Sequence, residues 1–154
     1  MLVARRPNIW KARYEIFADG TWVTAWDRSK RSTGGQFDLG EWHYEVHRNW
    51  RGSTYQLVTA GAVVARAQAS RTAWTVEAGG LMYELRRTSI WRLGYELWLH
   101  GQPAGSVRPI HRGSGDAVAE LPGLPLSLQV FVLVVVLSSW SQAAAVTYAI
   151  IGSS

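Results

Sequence analysis

The chain has 154 residues, enough for one domain with a sizeable core, and its 47% hydrophobic and 18% charged content excludes a disordered polymer. It has no cysteine, which excludes disulfide staples, thiolate metal sites and cysteine nucleophiles. The net charge of +5, with fourteen Arg and two Lys against eleven Asp and Glu, favours anionic partners such as phosphates or acidic lipid headgroups.

In chain order, residues 1–7 lack the apolar run of a secretory signal, so the expected location is the cytoplasm or the cytoplasmic face of a membrane. Residues 13–17 then lead through Asp19-Gly20 into residues 21–26, a strong hairpin signal. Short alternating runs follow at 36–39, 42–48, 54–59, 63–69, 73–78, 81–87, 95–100, 104–109 and 117–121, punctuated by Gly61, Gly79-Gly80 and Gly101. That makes eleven expected strands at a spacing of about ten residues, the rhythm of an all-β barrel or sandwich.

A Tyr-Glu-aliphatic triplet recurs at Tyr14-Glu15-Ile16, Tyr44-Glu45-Val46, Tyr83-Glu84-Leu85 and Tyr95-Glu96-Leu97, with Tyr55-Gln56-Leu57 a near match. In a strand the Tyr and the aliphatic residue share one face and the Glu takes the other. Each unit therefore offers two apolar groups inward and a carboxylate to solvent. The spacing of the triplets is irregular, unlike a propeller or solenoid.

Residues 121–154 contain no Lys, Arg, Asp, Glu or His, and residues 126–137 are apolar at ten of twelve positions. Three placements are open: a buried helix, a membrane anchor or core strands. Pro122 and Pro125 mark a helix start. A helix apolar on every side is buried on every side, in protein or in lipid. The pure run is short of the about 20 residues a span needs, although a hydropathy window flags 126–151. A barrel of so many strands is too wide to fill with its own side chains, since about eight strands already achieve that. A helix about 10 Å across suits the gap. The expected fold is mainly β: one domain over 1–154, a closed antiparallel barrel of about twelve strands within about 1–121. A buried hydrophobic C-terminal α-helix occupies about 124–142, with an extension to 151 left open.

The order of these features resembles the tubby-like superfamily: repeated Tyr-Glu-aliphatic strands, Asp-Gly and Gly-Gly hairpins, then Leu121-Pro122 and Leu124-Pro125-Leu126 leading into an apolar helix. That group includes the tubby C-terminal domain, the phospholipid scramblases and the LURP-one-related proteins. The resemblance implies a twelve-stranded barrel around a central C-terminal helix. It also implies recognition of phosphoinositide headgroups through basic barrel residues.

No string in the sequence specifies catalysis. His43-Tyr-Glu-Val-His47 places His43, Glu45 and His47 on one strand face, weakly compatible with a metal and more simply read as a solvent face. Gly113-Ser114-Gly115-Asp116 lacks the spacing of a phosphate or dinucleotide loop. The basic groups are the better clue, and the candidate anion-binding residues are Lys11, Arg13, Arg28, Lys30, Arg31, Arg86 and Arg87. Most of the nine Trp are expected in the core, with Trp26 beside Arg28 and Trp50 beside Arg51 as candidates for a membrane interface. The expected function is a non-enzymatic binding or regulatory module, without metal or cofactor. Its ligand would be an anionic phospholipid or a phosphorylated small molecule at the membrane surface, and no nucleic acid. The alternatives are a scramblase-like protein that moves phospholipids with its C-terminal helix in the bilayer, and a structural protein-interaction domain.

Overall fold

The computed structural model describes residues 1–7, 13–28, 34–88, 94–110 and 116–152, with the side chains of 142–152 left aside. Twelve strands run in sequence: β1 (Leu2–Arg5), β2 (Arg13–Ala18), β3 (Thr21–Arg28), β4 (Gly34–Leu39), β5 (Trp42–Arg48), β6 (Thr54–Thr59), β7 (Ala62–Ala69), β8 (Ala73–Ala78), β9 (Leu81–Arg87), β10 (Tyr95–Leu99), β11 (Gln102–Pro109) and β12 (Ala117–Glu120). One helix, α1 (Leu126–Gly152), follows. Each strand pairs antiparallel with its sequence neighbours, and β1 pairs with both β2 and β12, which closes the barrel. The expected mainly-β barrel with an enclosed C-terminal helix is the architecture observed. The strand missing from the sequence reading is β1, the one that makes the closure.

An up-and-down meander alternates ends, so its connections fall into two sets. One end, the turn end, carries two-residue turns at 19–20, 40–41, 60–61, 79–80 and 100–101. Positive φ at Asp19, Ala60 and His100, each followed by a positive-φ glycine, gives these hairpins the twist that matches the strands. The other end, the loop end, carries the connections of three residues or more.

The hairpins also reveal a repeat that the triplets only hint at. Register shifts occur between Ile16 and Phe17, Leu57 and Val58, and Leu97 and Trp98. These are equivalent places in β2–β3, β6–β7 and β10–β11, and Tyr14, Tyr55 and Tyr95 stand at the same point in each, about forty residues apart. The four-strand units β2–β5 and β6–β9 are thus related, and the third is completed by β12 and β1. Trp22 matches Val63, Trp42 matches Leu81, and Glu45 matches Glu84.

Inside the barrel, residues 130–137 of α1 are at most 2% exposed. Burying a Val, Leu or Phe side chain contributes roughly 1.5–3 kcal/mol each. A Val-rich run has modest intrinsic helix propensity. It is helical here because the wall strands already use their backbone groups on one another, and a buried segment must satisfy its own. The Pro125 carbonyl accepts from the Gln129 N–H at 3.0 Å, and the Gln129 side-chain amide donates back to the Leu124 carbonyl at 2.7 Å, which fixes the helix entry at the turn end. The helix backbone runs closest to β12 and β1, where the inward residues are Leu2, Ala4, Ala117 and Ala119. The more distant walls send in Tyr55, Trp74, Tyr83 and Tyr95.

Near the loop end the Tyr95 hydroxyl lies 3.4 Å from the Ser139 hydroxyl. At 1.5 Å per residue the helix then continues about 20 Å to Gly152. Among the described residues no helix is long and apolar enough to cross a membrane, although hydropathy flagged this one.

Candidate functional site

The meander sorts the charge. Arg5, Arg13, Arg28, Arg48, Arg86, Arg87 and Arg108 sit in the last one or two residues of their strands at the loop end, and Arg51 and Arg71 in its connections. Lys11, Lys30 and Arg31 lie outside the described residues. The remaining candidates divide into two groups. Arg13 and Arg28 are on β2 and β3, while Arg86 and Arg87 are on β9, roughly across the barrel.

The arginines differ in what they are free to do. Arg13 is held by Glu15 at 3.1 Å and Asp27 at 3.2 Å, and the Glu15 hydrogen bond, then the charge of Asp27, raise its already high pKa. Arg86 grips Glu84 through Nε at 2.9 Å and Nη2 at 3.2 Å, and its guanidinium lies 4.5 Å from the Trp98 ring centre. Hydrogen bonding to Arg86 lowers the pKa of Glu84. Arg28, Arg71 and Arg87 are exposed and make no ion pair among the described residues.

Two surface depressions occupy equivalent places in successive repeats. The first, about 390 Å³, is lined by Asp27, Arg28, Gly35, Gln36, Glu45, Val46 and His47. It sits beside the tight β3–β4–β5 approach, where a Cβ at Gly34 would collide with the Val46 carbonyl. Two carboxylates against one arginine suit it poorly to an anion. The second, about 620 Å³, is lined by Ser70, Arg71, Thr72, Ala73, Trp74, Glu84, Arg86, Arg87 and Tyr95. Three guanidinium groups meet one carboxylate there, over a floor of buried Trp74 and Tyr95. Where the first repeat has His47, the second has Arg86.

Arg71 joins this site although the sequence reading omitted it. It stands alone between β7 and β8, with no basic neighbour to draw attention. Its place becomes visible only from the register, since Ala73 pairs with Arg86 and brings the 70–72 connection over the end of β9.

The other candidates resolve into local pairs. His43 Nδ1 lies 2.6 Å from Asp38, and His47 Nε2 lies 3.0 Å from Glu45, all on the outer face. Among the described residues no group of three or more His, Asp or Glu is placed to hold a metal ion. The triplet glutamates stay on separate strands, and among the described residues only Glu84 and Glu96 flank a common partner, Arg86. The tryptophans depart from expectation. Of those described, Trp26 and Trp74 are buried, while Trp22, Trp42 and Trp50 are 53%, 60% and 83% exposed. Trp26, expected at an interface beside Arg28, is core; Trp50 carries Arg51 at 4.9 Å from its ring. Comparison with known proteins adds no relative: no family model matches the chain, and no curated protein or solved structure matches it significantly.

Proposed function

We propose that this protein is a non-enzymatic module of the tubby-like kind that recognises an anionic headgroup on a cytoplasm-facing membrane surface. The observation that carries this reading is the depression over β8–β10, where Arg71 and Arg87 make no ion pair among the described residues and stand beside an oriented Arg86. Arg forks match phosphate oxygens bidentately, and Glu84 holds Arg86 in a fixed pose without neutralising the site. The enclosure of residues 130–137 among the strands favours this reading over one in which α1 crosses the bilayer to move lipids.

Vesicle flotation tests it. Wild-type protein is expected to float with vesicles containing phosphatidylserine or a phosphoinositide at low salt, and to stay behind with pure phosphatidylcholine. Arg71→Ala with Arg87→Ala should weaken the partition by about 2 kcal/mol, roughly thirty-fold, at about 1 kcal/mol per cation near the surface. Competition by a soluble inositol phosphate separates headgroup recognition from attraction to bulk charge. Equal flotation on neutral and acidic vesicles defeats the proposal.

A further inference from the structure

The turn end has a surface that anion recognition does not use. Trp22, Trp42, Val63, Leu81 and Met82 are each between 39% and 60% exposed, and all stand within the first two residues of β3, β5, β7 and β9. The repeat explains the ring, since Trp22 matches Val63 and Trp42 matches Leu81. Four of the five hairpins thus place an apolar group just after the turn, around much of the mouth. Isolated exposed apolar residues are ordinary, but a collar of them around one mouth marks a contact surface.

The same end is acidic. Glu41 and Glu120 lie in a turn and at a strand end, Asp19 is paired there with the N-terminal ammonium at 3.1 Å, Glu77 stands across from Arg66, and none of the five turns contains Lys or Arg. A partner for this collar must therefore be basic and apolar together, which disfavours an acidic membrane.

The opposite end of the same molecule has that chemistry. In the β5–β6 connection Trp50 is 83% exposed, with the Arg51 guanidinium over its ring. Asn49 ties the loop down: its side-chain oxygen accepts from the Ser53 N–H at 2.9 Å and the Thr54 N–H at 3.2 Å, and its amide donates to the Ser53 hydroxyl at 2.9 Å. The Gly52 N–H closes the turn on the Asn49 carbonyl at 3.0 Å. An aromatic and a cation are thus presented on an ordered support among arginines. Trp and Arg are the residues that most often carry binding energy at interfaces.

We infer that the protein self-associates head to tail, the acidic apolar collar of one copy receiving the Trp50–Arg51 knob of the next. The two surfaces differ, so the contact is heterologous and propagates as an open chain of copies unless the rotation closes it into a ring. Its residues are separate from Arg71 and Arg87, so it stands apart from the anion site.

Sedimentation of the full-length protein tests this directly. The average mass should rise with concentration at low salt and fall to the monomer in about 1 M salt, where the screening length shrinks to about 3 Å. Trp42→Glu with Met82→Glu blocks one face, and Trp50→Glu with Arg51→Glu blocks the other. Each double variant alone should be monomeric, and an equimolar mixture should give dimers and nothing larger, because only one intact collar and one intact knob remain to meet. All four substituted residues except Arg51 are established as exposed apolar groups outside the core, and the wild-type salt series stands without any variant. A monomer at every concentration in low salt overturns the inference, as does a mixture that stays monomeric or a single double variant that still assembles. Flotation on neutral vesicles that is lost in the collar variant also overturns it, in favour of a lipid-facing mouth.

Discussion

The Glu15 carboxylate accepts the Trp22 indole N–H at 2.6 Å and a guanidinium N–H from Arg13 at 3.1 Å, and the indole bond is the larger cause of its lowered pKa. A carboxyl whose folded pKa is depressed adds stability above its unfolded value, about 4.3, and loses it as pH falls through the folded value. Trp22→Phe should therefore raise the Glu15 pKa toward about 4.3 and remove its share of acid resistance, as read by NMR titration of that carboxyl. An unchanged titration would show that Arg13 alone sets it. This pair shows why single tryptophans were hard to place in advance. Trp22 and Trp26 belong to one strand, yet the first lies on the outer wall over Glu15 and the second packs 6.5 Å from Phe37. The bulge between Ile16 and Phe17 shifts the alternation on which a period of two depends.

At the scale of the element, α1 was the most legible part of the chain, because an uncharged segment in an otherwise charged sequence has few places to go. Its conformation was less legible than its burial, since Val-rich text suits a strand as well as a helix. Phe131 is fully buried at the centre of the barrel. Phe131→Ala should cost about 3–5 kcal/mol in denaturant unfolding, because the surrounding wall cannot collapse into the space. A loss well below 1 kcal/mol would mean that the interior is loosely filled. The hairpins were read almost residue for residue from Asp19-Gly20, Gly79-Gly80 and Gly101. Their relationship was not, because Trp22, Val63 and Pro103 occupy one position with little chemistry in common.

For the whole molecule, closure rests on four residues. β1 is only four residues long and no turn signal borders it, so nothing in its text marks it as a strand. Yet Leu2 and Ala4 are at most 1% exposed, and β1 supplies the ladder on both of its sides. Leu2→Ala should cost about 2–5 kcal/mol. Hydrogen exchange should quicken in β1, β2 and β12 before β6 and β7, and a uniform rise would show that closure is not the weak seam. The gathering of charge was equally hidden, since arginines scattered along the text meet only because every second connection of a meander returns to the same end.

The order of synthesis gives the central helix one more consequence. The twelve strands are made before the segment that fills them, so a nascent chain still tethered before residue 137 has a wall with nothing inside it. β1 likewise waits for β12, more than a hundred residues behind it, before its outer edge is covered. Neighbouring strands can pair as they are made, but the closing β1–β12 ladder and the packing of the wall on the helix span long stretches of sequence, and such contacts form slowly and leave edges unpaired meanwhile. A ribosome stalled before α1 would therefore hold an unfinished, adhesive sheet, and synthesis of that helix is the event that lets the domain fold.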